Sequence, residues 1–288
     1  MKNIYLIIFS LFFISFVFCS ENEKYIFIRG SLSEGNEYKY KIEDKISFNV
    51  PGIGYIQYGS FFNSAIKVLS KEGAFHKLQA TLTDMKTDNK IGNMEVMNYY
   101  WLGMNDIPCY LYIDSDGWID HIEPSKKEHG YLKDGFEQAY INSRKPNYFD
   151  PFGMIQHNIT PKAVGESWIT TFDSVKILIN LGSPVSYASG KNTYTLNKVK
   201  VKRGRKIAYI SSVQELNIDN RIMVDIAGVE KYIVGKSKGI INIKIQWDIE
   251  AGVFLYERVV GTSDGDFEMD GEHFTTRFDS RNILRRVE

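Results

Sequence analysis

Histidine and cysteine are the side chains most often used to bind zinc or to attack a substrate. They are sparse and scattered in this chain of 288 residues, with His76, His121, His129, His157, His273, Cys19 and Cys109 as the full set. Only His121 and His129 form a loose pair, and their spacing fits neither a helix face nor a finger-type zinc site. There is no Gly-x-Ser-x-Gly elbow, helical Ser-x-x-Lys box or Walker loop. The sequence therefore predicts no catalytic residue, no metal and no cofactor.

The N-terminal segment carries the signature of export. Lys2 precedes an apolar run from Ile4 to Phe18, which is too short to span a bilayer comfortably and is typical of a signal-peptide core. Cys19 ends the run, and two interpretations of it stay open. It is either the lipid-attachment residue of a mature bacterial lipoprotein or the last residue before ordinary cleavage. The predicted location is periplasmic, extracellular or anchored in the outer membrane, with membrane association only if Cys19 is lipidated.

The second cysteine, Cys109, lies in a strand-like run at residues 108–112. Processing removes or modifies Cys19, so Cys109 is left without a partner for an intramolecular disulfide. No His, Asp or Asn nearby suggests an activated thiol. We therefore expect Cys109 to be a buried structural thiol.

Aromatic residues make up 14% of the chain. One cluster lies in the Gly-rich segment 52–62, a second near residue 100, and a third comprises Tyr148, Phe149 and Phe152. Exposed aromatic residues in loops can line an apolar pocket, or they can plug the open ends of β layers. The candidate ligand-lining residues are Tyr55, Tyr58, Phe61, Phe62, Tyr99, Tyr100 and Trp101.

Charge is balanced, with 35 basic and 35 acidic residues, which argues against a nucleic-acid binder. Basic residues alternate at Lys198, Lys200 and Lys202, and acidic residues alternate at every second position from Asp264 to Glu272. On one strand, such alternation places like charges on one face. Three interpretations stay open: solvated faces that pair across strands, a basic patch for anionic head groups, or an acidic row for calcium.

Alternation of apolar and polar residues dominates the body of the chain and predicts antiparallel β structure. The best example runs from Ile241 to Ile249, where apolar and polar side chains alternate without a break. Glycines at Gly73, Gly117, Gly204 and Gly252 fall where tight hairpin turns need a positive φ.

These signals occur in the same order in the two halves of the chain. Gly35, Gly73 and Gly117 in the first half match Gly165, Gly204 and Gly252 in the second, at offsets of 130, 131 and 135 residues. A nearly constant offset predicts an internal duplication of one β unit.

The predicted organisation is a signal peptide at residues 1–19, a first β unit at 20–123, a connector at 124–161 and a second β unit at 162–288. Four of the seven prolines lie between residues 124 and 161, so that stretch is connector and not strand. A short helix from Tyr131 to Ser143 is predicted within it. The fold class is therefore mainly β, with two similar, curved, antiparallel units.

The motif Val164-Gly165-Glu166-Ser167-Trp168 and the later hairpin from Asp248 to Gly252 make the chain similar to a family of uncharacterised secreted bacterial proteins, many of them lipoproteins. The resemblance covers most of the mature chain and carries over no catalytic residue. It implies a curved, half-open β sheet like those of periplasmic lipoprotein carriers.

These observations favour a non-catalytic envelope protein that binds an apolar or lipid ligand in a curved sheet. The alternative is a structural or protein-interaction module of the cell envelope, which would dock an envelope protein through sheet edges or charged faces. A hydrolase without a recognisable motif is the third option. An enclosed apolar cavity would favour the first function, and a filled core with an exposed patch would favour the second.

Overall fold

The computed structural model describes residues 23–26, 32–95, 104–113, 119–132, 160–177, 186–226 and 229–287. Several of the predictions above fall outside these residues. They concern the signal peptide with Cys19, the turn at Gly117, the aromatic residues Tyr99, Tyr100 and Trp101, and the cluster Tyr148, Phe149 and Phe152.

Long antiparallel strands make up almost all of the described chain, as the alternation predicts. The first unit contains β1 (Lys24–Tyr25), β2 (Glu37–Val50), β3 (Gly54–Glu72), β4 (Phe75–Thr87), β5 (Lys90–Ile91), β6 (Met94–Glu95), β7 (Cys109–Ile113) and β8 (Ile119–Pro124). The second contains β9 (Lys162–Ala163), β10 (Ser167–Ile177), β11 (Ser186–Lys202), β12 (Arg205–Ile226), β13 (Val229–Asp248), β14 (Val253–Met269) and β15 (Glu272–Val287).

One large curved sheet joins the two units, and the predicted mainly β fold class is confirmed. Its strand order is β10-β11-β12-β13-β14-β15-β2-β3-β4-β7-β8, with β5 and β6 attached to β3 and a small separate pair formed by β1 and β9. Among the described residues the order ends at β10 and at β8, which are the two edge strands of the sheet. Of the predicted helix, only Tyr131 and Leu132 are described, and they end a 3-10 helix at Lys127–Leu132.

The pairing registers support the internal duplication. Strands β2, β3, β4, β7 and β8 correspond to β10, β11, β12, β13 and β14. Equivalent positions pair in the same way: Tyr38↔Ile66 matches Trp168↔Tyr194, Val68↔Leu78 matches Leu196↔Ile210, and Leu78↔Leu111 matches Ile210↔Ile245. A register shift directly follows Val68 in one unit and Leu196 in the other. Such bulges redirect strands, so their matched positions indicate one β unit used twice.

The turn that opens each unit explains the Val-Gly-Glu-Ser-Trp motif. Gly35 and Gly165 adopt φ values of 86° and 89°, a left-handed conformation that favours glycine. The Glu166 carboxylate accepts hydrogen bonds from the Ala163 amide at 3.0 Å and from Lys162 Nζ at 3.1 Å. Trp168 then enters the core and stacks on Tyr194. The motif is therefore a structural one.

Two apolar clusters cover one face of the sheet, which we call the inner face. The first lies where β2 and β13 approach the turns at Gly35 and Gly252, and it includes Tyr40, Ile66, Leu78, Ile210 and Trp247. The second lies at the opposite ends of the same long strands and includes Phe48, Ile56, Ile222, Phe267 and Phe278. We call the opposite face of the sheet the outer face. No helix among the described residues is long and apolar enough to cross a membrane.

Asp248 holds the β13–β14 turn together from inside the protein. Its side chain is fully buried, and Oδ1 accepts hydrogen bonds from the Glu250 amide at 3.1 Å and the Ala251 amide at 2.9 Å. We expect Asp248→Ala to lower the free energy of unfolding by about 2 kcal/mol, because two amides would lose a charged acceptor. Urea titration would measure this change in the free energy of unfolding. Asp266→Ala on the outer face is the control, and an equal loss there would contradict the role given to Asp248.

Candidate functional site

A buried polar cluster lies on the inner face between the two apolar clusters. It comprises the buried side chains Asn192 and Tyr194 on β11, Ser212 on β12, Glu257 on β14 and Asn282 on β15, together with Asp44 on β2, which is partly exposed. Inward positions along these strands are otherwise mostly apolar, as at Ile42, Ile210 and Leu284. The polar cluster is therefore an exception to the pattern that buries the rest of this face.

Strand pairing fixes one half of the cluster. Asn282 lies directly opposite Asp44 across the β15–β2 pair, and Glu257 lies opposite Leu284 on the β14–β15 pair. Asn282 and Glu257 are thus diagonal neighbours on one face, within reach of long side chains. Asn282 is 2% exposed and Glu257 is 4% exposed. Two carboxyl groups and an amide therefore lie side by side on the inner face.

The other half of the cluster comes from the second unit's early strands. Tyr194 pairs with Ser212, and Asn192 Nδ2 donates a hydrogen bond to the Tyr194 hydroxyl at 3.2 Å. Burial, with a further contribution from the Glu257 charge, raises the pKa of the Tyr194 phenol. Because β12 and β13 separate these two residues in the sheet, curvature must bring Tyr194 towards Glu257.

Several side chains on this face have buried polar atoms with no hydrogen-bond partner among the described residues. Those at least nine-tenths buried include Ser64 Oγ, Asn192 Oδ1, Ser212 Oγ, Trp247 Nε1, Glu257 Oε1 and both amide atoms of Asn282. Buried polar atoms in native proteins are nearly always hydrogen-bonded, and leaving one unpaired costs about 1–3 kcal/mol. Glu257 and Asn282, which are neighbours in the sheet, are therefore candidates for ligand contacts.

Both carboxyl groups resist ionisation. Burial raises the pKa of Glu257 to about 8, with no opposing interaction. Burial also raises the pKa of Asp44 to about 6. At neutral pH Glu257 is therefore mostly protonated and can donate as well as accept a hydrogen bond.

The outer face carries a different feature, an open groove of about 770 Å³ across β10 to β14. Side chains of both signs line it: Asp219, Lys236, Lys238, Asp264 and Asp266. Beside it lies an exposed apolar patch formed by Ile169, Val213, Ile240 and Val260. This groove is polar and open, unlike the enclosed apolar cavity that lipid binding predicts.

The structure separates the predicted aromatic residues of segment 52–62. This segment is not a loop, because β3 begins at Gly54 and its side chains alternate between faces. Tyr55 and Phe61 are 41% and 37% exposed, whereas Phe62 is buried in the first apolar cluster and Tyr58 packs against the second. Only Tyr58 and Phe62 therefore face inward, and they flank Ser60, which pairs with Asp44.

The predicted acidic row is shorter than its sequence spacing suggests. Asp264, Asp266 and Glu268 share the outer face of β14, but Asp270 lies in the following turn with a φ of 53° and pairs with Lys231. Glu272 already belongs to β15. The basic residues Lys198, Lys200 and Lys202 lie at the far end of β11, where they pair with β12 and not with β14.

Side chains that could support metal binding or nucleophilic catalysis do not converge in the described part of the chain. No group of three or more His, Cys, Asp or Glu residues is placed there to hold a metal. Cys109 is buried and free of disulfide bonding. His121 contacts its neighbour Asp120 at 2.8 Å and stacks on Tyr112. That His–Asp pair shows no associated nucleophile among the described contacts.

No family model and no curated protein sequence matches the chain. Among solved structures, the chain is similar to one described as showing lipid–protein interactions in lipovitellin, with a TM-score of 0.48 and 10% sequence identity. The match covers 90% of this chain and 26% of the lipovitellin chain. A similarity at this level indicates nothing about a shared function.

The polar cluster was missed in the sequence although a signal for it exists. Asp44 falls in the inward-facing series Tyr38, Tyr40, Ile42, Asp44, Ile46 and Phe48. All of the other residues in this series are apolar or aromatic. A carboxyl group at an inward-facing position of a strand can be recognised from the alternation of apolar and polar residues alone. Its association with Glu257 and Asn282 needed the β15–β2 pairing, which sequence spacing does not show.

Proposed function

We propose that this protein is a secreted, non-catalytic binder of an amphipathic or lipid-like ligand, held on the inner face of its curved sheet. The observation that carries the proposal is the set of unpartnered polar atoms between two apolar clusters. A ligand polar group would satisfy those atoms, and its apolar chain would lie along one of the clusters.

The test is solvent extraction of the full-length protein purified from its native envelope without detergent, followed by mass spectrometry. We expect an amphipathic molecule in stoichiometric amount. Asn282→Leu keeps the branched shape of the side chain but removes both unpartnered amide atoms, so it should lower ligand affinity about tenfold, as loss of one buried hydrogen-bonding partner predicts. Circular dichroism would confirm that the variant is folded.

The matched control is Asn217→Leu, which makes the same change in the outer groove. Occupancy should stay at the wild-type level in this control. Equal loss in both variants would place the ligand elsewhere, and a wild-type protein that carries no amphiphile and takes up none when supplied would overturn the proposal.

A second candidate is a protein-interaction module. It is favoured by the exposed patch of Ile169, Val213, Ile240 and Val260 beside a groove that carries both charge signs. An apolar centre with a charged rim is the usual composition of a protein–protein interface. The matching occupant is a partner protein with an apolar ridge. Wild-type protein that neither carries nor takes up an amphiphile would make this candidate the leading function.

A further inference from the structure

We propose that the ligand's polar group is a cationic amine and that Asp44, Glu257 and Asn282 receive it. This inference rests on the proposed function and narrows the ligand to amphiphilic amines. Three observations support it: the chemistry of the unpartnered atoms, the charge of the surrounding face, and the spacing of the three side chains.

Most of the unpartnered atoms of the cluster can accept a hydrogen bond. Asn192 Oδ1 and Asn282 Oδ1 can only accept, and Glu257 Oε1 and the hydroxyl groups of Ser64 and Ser212 can accept as well, whereas Asn282 Nδ2 can only donate. An ammonium group has three donors and no acceptor, whereas a carboxylate has only acceptors. The acceptors of the cluster therefore match an amine, while Asn282 Nδ2 needs an acceptor other than the ammonium group.

The paired positions next to the two carboxyl groups include no basic side chain. Two rows of paired positions cross the inner face, one from Trp168 through Asn282 and Asp44, the other from Leu196 through Glu257 to Phe62. No lysine or arginine occurs in either row of described residues. A buried carboxylate is costly unless a cation pairs with it. A ligand ammonium would supply a counter-charge to Asp44 and would favour the ionised form of Glu257.

The spacing allows one ammonium to reach all three side chains. Residues directly opposite on neighbouring antiparallel strands have Cβ atoms about 5 Å apart, and diagonal neighbours are about 7–8 Å apart. Asn282 is directly opposite Asp44 and diagonal to Glu257. A small cation at the Asn282 amide therefore lies within side-chain reach of both carboxyl groups.

The experiment compares three probes with one tail: dodecylamine, dodecanol and dodecanoate. Each would be titrated below its critical micelle concentration into delipidated full-length protein at neutral pH, with isothermal calorimetry as the readout. We expect the amine to bind about tenfold or more tightly than the alcohol, as a charge-assisted hydrogen bond predicts. The acid should bind most weakly.

Two variants test whether the preference for the amine over the alcohol depends on the carboxyl groups. Glu257→Gln and Asp44→Asn should each reduce the preference for amine over alcohol while leaving alcohol binding near the wild-type value. Glu268→Gln on the outer face is the control and should keep the full preference. Thermal unfolding would establish that all three variants are folded.

The outcomes separate the two proposals. If all three probes bind equally well, or the preference survives in both carboxyl variants, the amine inference fails while amphiphile binding stands. If none of the probes binds to the wild-type protein, amphiphile binding fails and the amine inference fails with it. Selective loss of amine binding in the two carboxyl variants would support both.

Discussion

Glu257→Gln should remove most of the pH dependence of stability between pH 5 and 8. The pKa of Glu257 is about 8 in the folded protein against a reference value of 4.5, so the folded state binds the extra proton between these values. The free energy of unfolding therefore falls as pH rises across this window, by about 1.4 kcal/mol per unit. The accumulated loss is about 4 kcal/mol by pH 8. Glutamine is neutral at every pH, so the variant avoids this loss of stability.

Urea titrations at several pH values would measure the effect. Wild type and Glu257→Gln should have similar free energies of unfolding near pH 5, where the wild-type carboxyl is protonated in the folded protein. At pH 8 the variant should be the more stable of the two. Asp44 contributes a slope of the same sign at lower pH, because burial raises its pKa to about 6. Glu268→Gln should reproduce the wild-type profile. Parallel profiles for wild type and Glu257→Gln would show that Glu257 ionises freely in the folded protein.

Gly235→Ala should destabilise the protein by about 3 kcal/mol, at the upper end of the range for overpacking in a core. A Cβ atom at this position would overlap the Asp266 carbonyl oxygen and would lie 2.7 Å from both Cα and Cδ1 of Phe267. These are mostly backbone atoms of the paired strand β14, which cannot rotate away. Alanine gains about 0.5–1 kcal/mol over glycine from chain entropy, which is too little to offset the overlap.

Chemical denaturation of Gly235→Ala would test this, with Gly59→Ala as the matched glycine control. The nearest atom to a Cβ at Gly59 is the Asp88 carbonyl oxygen at 3.1 Å, a contact that a small shift can relieve. The control should therefore lose much less stability. Equal effects at the two sites would mean that strand spacing at Gly235 adjusts more readily than its packing indicates.

Local chemistry was sufficient to predict the strands and the turns. Strict alternation at Ile241 to Ile249 falls in β13 and its following turn, and Gly73, Gly204 and Gly252 all have positive φ values. The predicted duplication rested on turn glycines that keep their order in the two halves of the chain. These features depend on residues close together in the sequence, which is why spacing alone could reveal them.

The site depended on contacts that spacing does not encode. Aromatic content directed attention to segment 52–62, but a strand sends neighbouring side chains to opposite faces, so Tyr55 and Phe62 cannot line one surface. The acidic alternation was broken by a turn at Asp270. Asp44 and Asn282 become neighbours only because the final described strand pairs with β2.

That pairing of β15 with β2 also has a consequence for the order of folding. It joins residues about 230 to 250 positions apart, from Phe278↔Phe48 to Val287↔Lys39. Other long-strand pairs in the sheet are hairpins or nearby connections that can form soon after their residues are available. Closing so long a loop is slow, because its entropy must be lost before any contact compensates for it. The two units should therefore form first and merge late, with the edges of β2 and β15 exposed in the meantime. The chain would need protection from edge-to-edge aggregation until that merger is complete.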